Sequence, residues 1–163
     1  MKDNLPKRKN IRLKSYDYSL EGYYFITICI KNRECILSKI KCGSVKTDPY
    51  IELNDIGKMV EKKLKEIEKH FEKIKIHDYI IMPNHLHFIL EKPNVGAGLD
   101  QPAKKITIGN VIGLFKSGIS RKIGYSIWQR NYYEHVIRNE KEYLMIKQYI
   151  INNPCNWKND KYY

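Results

Sequence analysis

Two apolar runs, Ile74 to Met82 and His85 to Lys92, stand almost end to end, separated only by Pro83-Asn84. The first is rich in Ile and the second in Leu, Phe and Ile, and both are too short for a typical helix, so both read as strands that need covering on their faces. The interruption fits either a hairpin turn or a bulge within one long strand. Tyr23 to Ile30 (YYFITICI) is a third such run and reads as a central strand, while Cys35 to Ile51 holds two short, irregular strand pieces.

The cover comes from helices. Between Asn54 and Phe71 the apolar residues Ile56, Val60, Leu64, Ile67 and Phe71 recur every three or four positions with Lys and Glu between them, the pattern of an amphipathic helix. After Thr107, a suitable N-cap, a second stripe runs through Ile108, Val111, Ile112, Phe115, Ile119 and Ile123, weakened by Gly113 and Gly118. A third helix starts at Asn139, with Glu142 three residues later as in a capping box, and Pro154 stops it. Strands mixed with helices in this order predict a layered α+β fold, an antiparallel sheet with helices packed on it.

At 163 residues one domain is expected: a basic arm at 1–15, the folded domain at 16–157 and a short tail at 158–163. The Gly- and Pro-rich stretch from Pro93 to Pro102 is the obvious internal loop. The four cysteines form no CxxC pair, which argues against a cysteine zinc site. No apolar run approaches the length of a membrane span and the N-terminus lacks a secretory pattern, so a cytoplasmic protein is expected. A formal charge of +12 attracts polyanions, nucleic acid first among them. The arm carries Arg8, Lys9 and Arg12, and Lys116, Arg130 and Arg138 lie farther along the chain; these six are the candidate DNA contacts.

His85 and His87 stand two apart in a strand-like sequence, so both imidazoles project from one face, about 7 Å apart along the backbone. Such a pair is half of a metal site, and two ligands leave it open to substrate. Two histidines near a turn can equally be surface hydrogen-bonders. In the last helix Tyr149 and Asn153 lie one turn apart, at the flank of the apolar stripe of Tyr143, Ile146 and Ile150. An amide oxygen there could complete a metal triad beside a phenol, although spacing does not separate Tyr149 from Tyr132, Tyr133 or Tyr143. A nucleophilic phenol also needs its charge offset, with Lys147 and Arg138 as candidate cations. WQRNYYEHVIR supplies both the aromatic platforms and the basic residues that single-stranded nucleic acid requires, with Trp128 reading as core and His135 as a satisfied structural histidine.

The motifs RLKSYDYS, GYYFITICI, LNDIGKMV, IMPNHLHFIL, LFKS, WQRNYYEHVIRNE and YIINNPCNW together resemble the REP-associated tyrosine transposases (REP, repetitive extragenic palindrome). These are a branch of the HUH single-tyrosine, IS200-like transposases, named for two histidines around a hydrophobic residue. The resemblance spans nearly the whole chain and implies a ferredoxin-like, RRM-like HUH nuclease fold. It also implies His85, His87 and Asn153 as ligands of Mg²⁺ or Mn²⁺, and Tyr149 as a nucleophile that leaves a 5′-phosphotyrosine and a free 3′-hydroxyl. The relatives commonly carry Gln where Asn153 stands. The implied partner is single-stranded or hairpin DNA of palindromic repeats, and the implied state a monomer or homodimer. A non-catalytic hairpin-binding or regulatory protein on the same fold, or an RNA-binding module, are the other readings. No GxxxxGK[ST] motif is present, consistent with chemistry that exchanges one phosphodiester for another.

Overall fold

A computed structural model describes residues 20–41, 49–93 and 106–162. The expected arm, with Arg8, Lys9 and Arg12, and nearly all of the Pro93–Pro102 loop lie outside the described residues.

Strand β1 (Gly22–Cys29) is the centre of a four-stranded antiparallel sheet of order β4-β5-β1-β6, with β4 at Lys75–Ile81, β5 at His85–Lys92 and β6 at Tyr133–Ile137. Strands β2 (Ser38–Lys41) and β3 (Tyr50–Leu53) pair separately as a two-stranded ribbon, the two short pieces expected between Cys35 and Ile51. The break at Pro83-Asn84 is a hairpin turn, because β4 and β5 pair with each other on either side of it. A bulge does occur, but farther back, between Ile76 and Tyr79.

Helices α1 (Asp55–His70), α2 (Ile108–Ile123) and α3 (Glu140–Asn152) match the three periodic segments. The Asn54 side chain caps α1 by accepting from Gly57 N, and Thr107 and Asn110 cap α2 reciprocally. In α3 Asn139 accepts from Glu142 N, but the Glu142 carboxylate turns to Arg138 N and His135 instead of closing the box. Omitting the β2–β3 ribbon and α3, the order is β1-α1-β4-β5-α2-β6, the βαββαβ arrangement of ferredoxin-like folds.

Alternation along the strands sorts two faces. Tyr24, Ile26 and Ile28 of β1, with Leu86, Phe88 and Leu90 of β5, are fully buried against α1 and α2 and form the main core. Their neighbours Phe25, Thr27 and Cys29 face the other way, with His85, His87 and Ile89 beside them in register. α3 covers part of that second face through Tyr143, Ile146 and Ile150, packed on Phe25, Ile80, Ile89 and Ile137. The periodic reading of the chain contains no strand at β6. Its sequence YEHVI buries only Ile137 fully, since an edge strand with one open side lacks the apolar run that marks a central one.

Candidate active site

The β1–β5 register places His87 opposite Thr27 and His85 opposite Cys29, on the face that α3 shares. Both histidines are buried, with ring centroids 4.5 Å apart. Each is oriented by one bond at Nδ1. The Asn84 amide donates from Nδ2 to the Tyr162 carbonyl at 2.7 Å, which turns its Oδ1 toward His85 Nδ1, also at 2.7 Å. An amide oxygen only accepts, so His85 carries its proton on Nδ1 and presents a bare lone pair at Nε2. His87 Nδ1 meets the Thr27 hydroxyl at 2.8 Å, and its Nε2 faces the Tyr149 hydroxyl at 3.4 Å.

Burial is the main reason that both imidazoles stay neutral. It brings His85 down to about 4, partly opposed by the Asp160 charge, and holds His87 well below its ordinary value, helped by His85 and Lys161. The 3.9 Å approach of His85 Nε2 to the Asp160 carboxylate is therefore no ion pair at neutral pH. It brings a lone pair toward an anion.

Tyr149 projects from the last turns of α3 with its ring edge-on to Phe25 at 5.9 Å, and it is 40% exposed. Burial and then the Asp160 charge push its phenol above the usual value, against the opposing effects of the Asn153 side chain and Lys161. The phenol is thus protonated as it stands, and lowering its pKa requires added positive charge. Lys161 is the cation beside it. Lys147, expected in that role, is held by Asp78 at 3.2 Å, and Arg138 lies exposed at the β6–α3 junction; neither is among the groups that act most on Tyr149.

Asn153 follows α3 directly, buried, with its Nδ2 donating to Asp160 at 3.2 Å and its Oδ1 without a partner. Asp160 also accepts from Tyr162 N at 2.7 Å, and its carboxylate is 2% exposed. One ligand atom from each of His85, His87 and Asp160 lies within 4.8 Å of the others. Two bare acceptors, His85 Nε2 and Asn153 Oδ1, together with a carboxylate that is nearly dry, call for a cation to satisfy them. The donor set of imidazole nitrogen and oxygen suits a first-row or alkaline-earth divalent ion.

Asp160, Asn84 and Thr27 escape a reading by spacing. Asp160 falls in the segment expected to be a short C-terminal tail; the chain turns back after Pro154, stacking Trp157 on His85 and packing Tyr162 against it at a tilt, with centroids at 6.0 and 4.9 Å. Its aromatic residues are the one local sign that it packs. Among the other candidate contacts, Arg130 is exposed, whereas the Lys116 ammonium is half-buried under the carbonyls of residues 129–131. Trp128 and His135 sit as expected, the former in the core and the latter bonded to Glu142 at 2.6 Å.

Fold and site together define a ferredoxin-like α+β protein with a His-x-His pair facing a helix-borne tyrosine. Its fold is that of a REP-associated tyrosine transposase bound to a REP hairpin, to which it is similar with a TM-score of 0.64 over 90% of this chain and 74% of that one, at 19% identity. The chain belongs to the same family as an uncharacterized protein of Haemophilus influenzae, with 42% identity over 173 aligned positions that cover 96% of this chain and 93% of that protein. No protein-family model matches it.

Proposed function

We propose that this protein is a transposase: a divalent-metal-dependent endonuclease and strand-transferase that acts on single-stranded DNA next to hairpins, with Tyr149 as nucleophile. The observation that carries this reading is the Tyr149 hydroxyl 3.4 Å from His87 Nε2, at the open side of a buried cluster made of acceptors. His85 and His87, with Asp160 and Asn153, would hold Mg²⁺ or Mn²⁺. Bound there, the ion supplies Lewis-acid polarisation of the scissile phosphate and offsets charge that develops beside it.

The chain's own residues do the rest. Asn84 and Thr27 keep the imidazole Nδ1 atoms engaged, so the Nε2 atoms point into the site. Phe25 and His87 support the Tyr149 ring, while its partial exposure leaves the hydroxyl open to a phosphodiester. The phenolic oxygen bonds to phosphorus, the bond from phosphorus to the 3′ oxygen breaks, and the phenolic proton leaves to solvent as the 3′ oxygen takes one up. A 5′-phosphotyrosine and a 3′-hydroxyl result. One phosphodiester replaces another, so a second 3′ end can reverse the step without nucleotide hydrolysis.

The test is incubation with Mn²⁺ and labelled single-stranded hairpin DNA, followed by denaturing electrophoresis. A covalent protein–DNA adduct is expected from the wild type and none from Tyr149→Phe, whose fold should be unchanged because the hydroxyl lies at the surface side of the site. An adduct that persists in Tyr149→Phe would exclude this nucleophile. Hairpin binding without any wild-type adduct would leave a non-catalytic binding protein.

A further inference from the structure

The LFKS and WQRN motifs meet in space. The Lys116 ammonium of α2 donates to the carbonyls of Gln129, Arg130 and Asn131, the last two at 3.3 and 3.2 Å, and the Trp128 indole donates back to the Lys116 carbonyl at 3.2 Å. This knot forms the floor of a cleft of about 700 Å³ between α2 and residues 126–132. That size lies within the ~300–1,000 Å³ of typical small-ligand sites. Gly109 and Gly113, one helical turn apart, leave part of the α2 wall without side chains, and Ser117, Arg130, Asn131 and Tyr132 are among the other lining residues. A second depression adjoins it, shares Ser126, Trp128 and Arg130, and adds Lys31 and Arg33, so exposed cations rim the opening.

The cleft is also joined to the histidine site. Just past β1, Ile30 bridges to Trp128, and Gln129 N donates to the Cys29 carbonyl at 2.9 Å, while Cys29 is the register partner of His85. The charges of Arg33 and Lys116 reach Cys29 from the cleft side, and those of Asp160 and Lys161 from the histidine side.

We propose that this cleft binds one unpaired nucleotide of the single-stranded substrate, the base entering the space beside Gly109 and Gly113 against Tyr132 and the phosphate meeting Arg130, Lys31 and Arg33. The site rests on the DNA-processing reading above and extends it to a second point of strand contact. An aromatic ring accepts any base, the glycines leave room for one, and the cations supply the phosphate attraction. Lys116 is a positioning residue, since its donors are used by the loop that presents Arg130.

Gly113→Leu tests the proposal cleanly. A Cβ at Gly113 meets nothing within 4 Å, so the leucine fills the cleft without strain, and replacing a mid-helix glycine favours α2. Binding is read by fluorescence anisotropy with two labelled DNAs, a hairpin that carries a single-stranded flank and the same hairpin blunt-ended. Gly113→Leu should bind the flanked hairpin roughly tenfold more weakly, the blunt one unchanged, and keep or raise the thermal midpoint. Arg130→Ala should lower the log-log salt slope for the flanked hairpin by about 0.7. Wild-type affinity of Gly113→Leu for the flanked hairpin, or an equal loss on both DNAs, overturns the proposal. A flank-specific loss in a protein that forms no Tyr149 adduct upholds the cleft and refutes the catalysis. A wild type that binds neither DNA refutes both.

Discussion

Acidifying the chelator-treated protein should destabilise it through the two buried histidines. In the unfolded chain each titrates near 6.5, whereas in the fold His85 is held at about 4 and His87 also well below 6.5. Below pH 6.5 the unfolded state therefore binds more protons than the native state, so stability falls as pH drops toward 4 and is fully present above 6.5. At about pH 5, His85 is still mostly neutral in the fold but protonated when unfolded, a difference of about 1.5 pK units, or about 2 kcal/mol. His87 is shifted in the same direction and adds to this loss, so the stability lost between about pH 7.5 and pH 5 should be no less than the roughly 2 kcal/mol of His85. With a typical urea m-value of about 2 kcal/mol per M, the unfolding midpoint should fall by roughly 1 M or more. The control is the double variant His85→Gln/His87→Gln, which should lose most of this pH dependence whatever its absolute stability. If wild type and double variant lose the same stability over this range, the imidazoles are not the groups held neutral by burial, and the lone-pair argument for the site fails with them.

Four further outcomes follow from the structure. Asn84→Ala removes the acceptor that sets the His85 tautomer and should weaken Mn²⁺ binding about 10–100-fold by calorimetry, whereas unchanged affinity would contradict the Nε2 assignment. Asp160→Asn keeps the shape but removes the anionic charge, and should cost roughly tenfold or more in Mn²⁺ affinity in the same experiment. Gly57→Ala would set a Cβ 2.0 Å from the Leu37 carbonyl oxygen, so helix α1 or the β2 entry must move, at about 1–3 kcal/mol in urea unfolding. Asn139→Ala removes the cap of the tyrosine helix and should cost about 1 kcal/mol.

The difference between legible and illegible features follows the range of the interactions. α1 and α2 announce themselves because their apolar stripes repeat within the chain, and the capping residues Asn54, Thr107 and Asn139 act within three positions of themselves. β6 does not, since half of its pattern is set by β1 beside it and half by solvent. The Pro83-Asn84 break allows two readings until the pairing of β4 with β5 makes it a turn.

The site divides along the same line. By itself the sequence determined that His85 and His87 share a face, because a strand alternates with period two, and that Tyr149 and Asn153 share one, because a helix turn spans four residues. Only the tertiary structure decided that those two faces meet, through the Thr27–His87 register and the packing of Ile150 on Ile89. It alone brought Asp160 back to the histidines, and it placed Lys161, not Lys147, beside the phenol. These last contacts join residues well beyond one helix turn or strand period, Asp160 and the histidines more than seventy positions apart, and what sets them is the burial of whole faces, which no local spacing records.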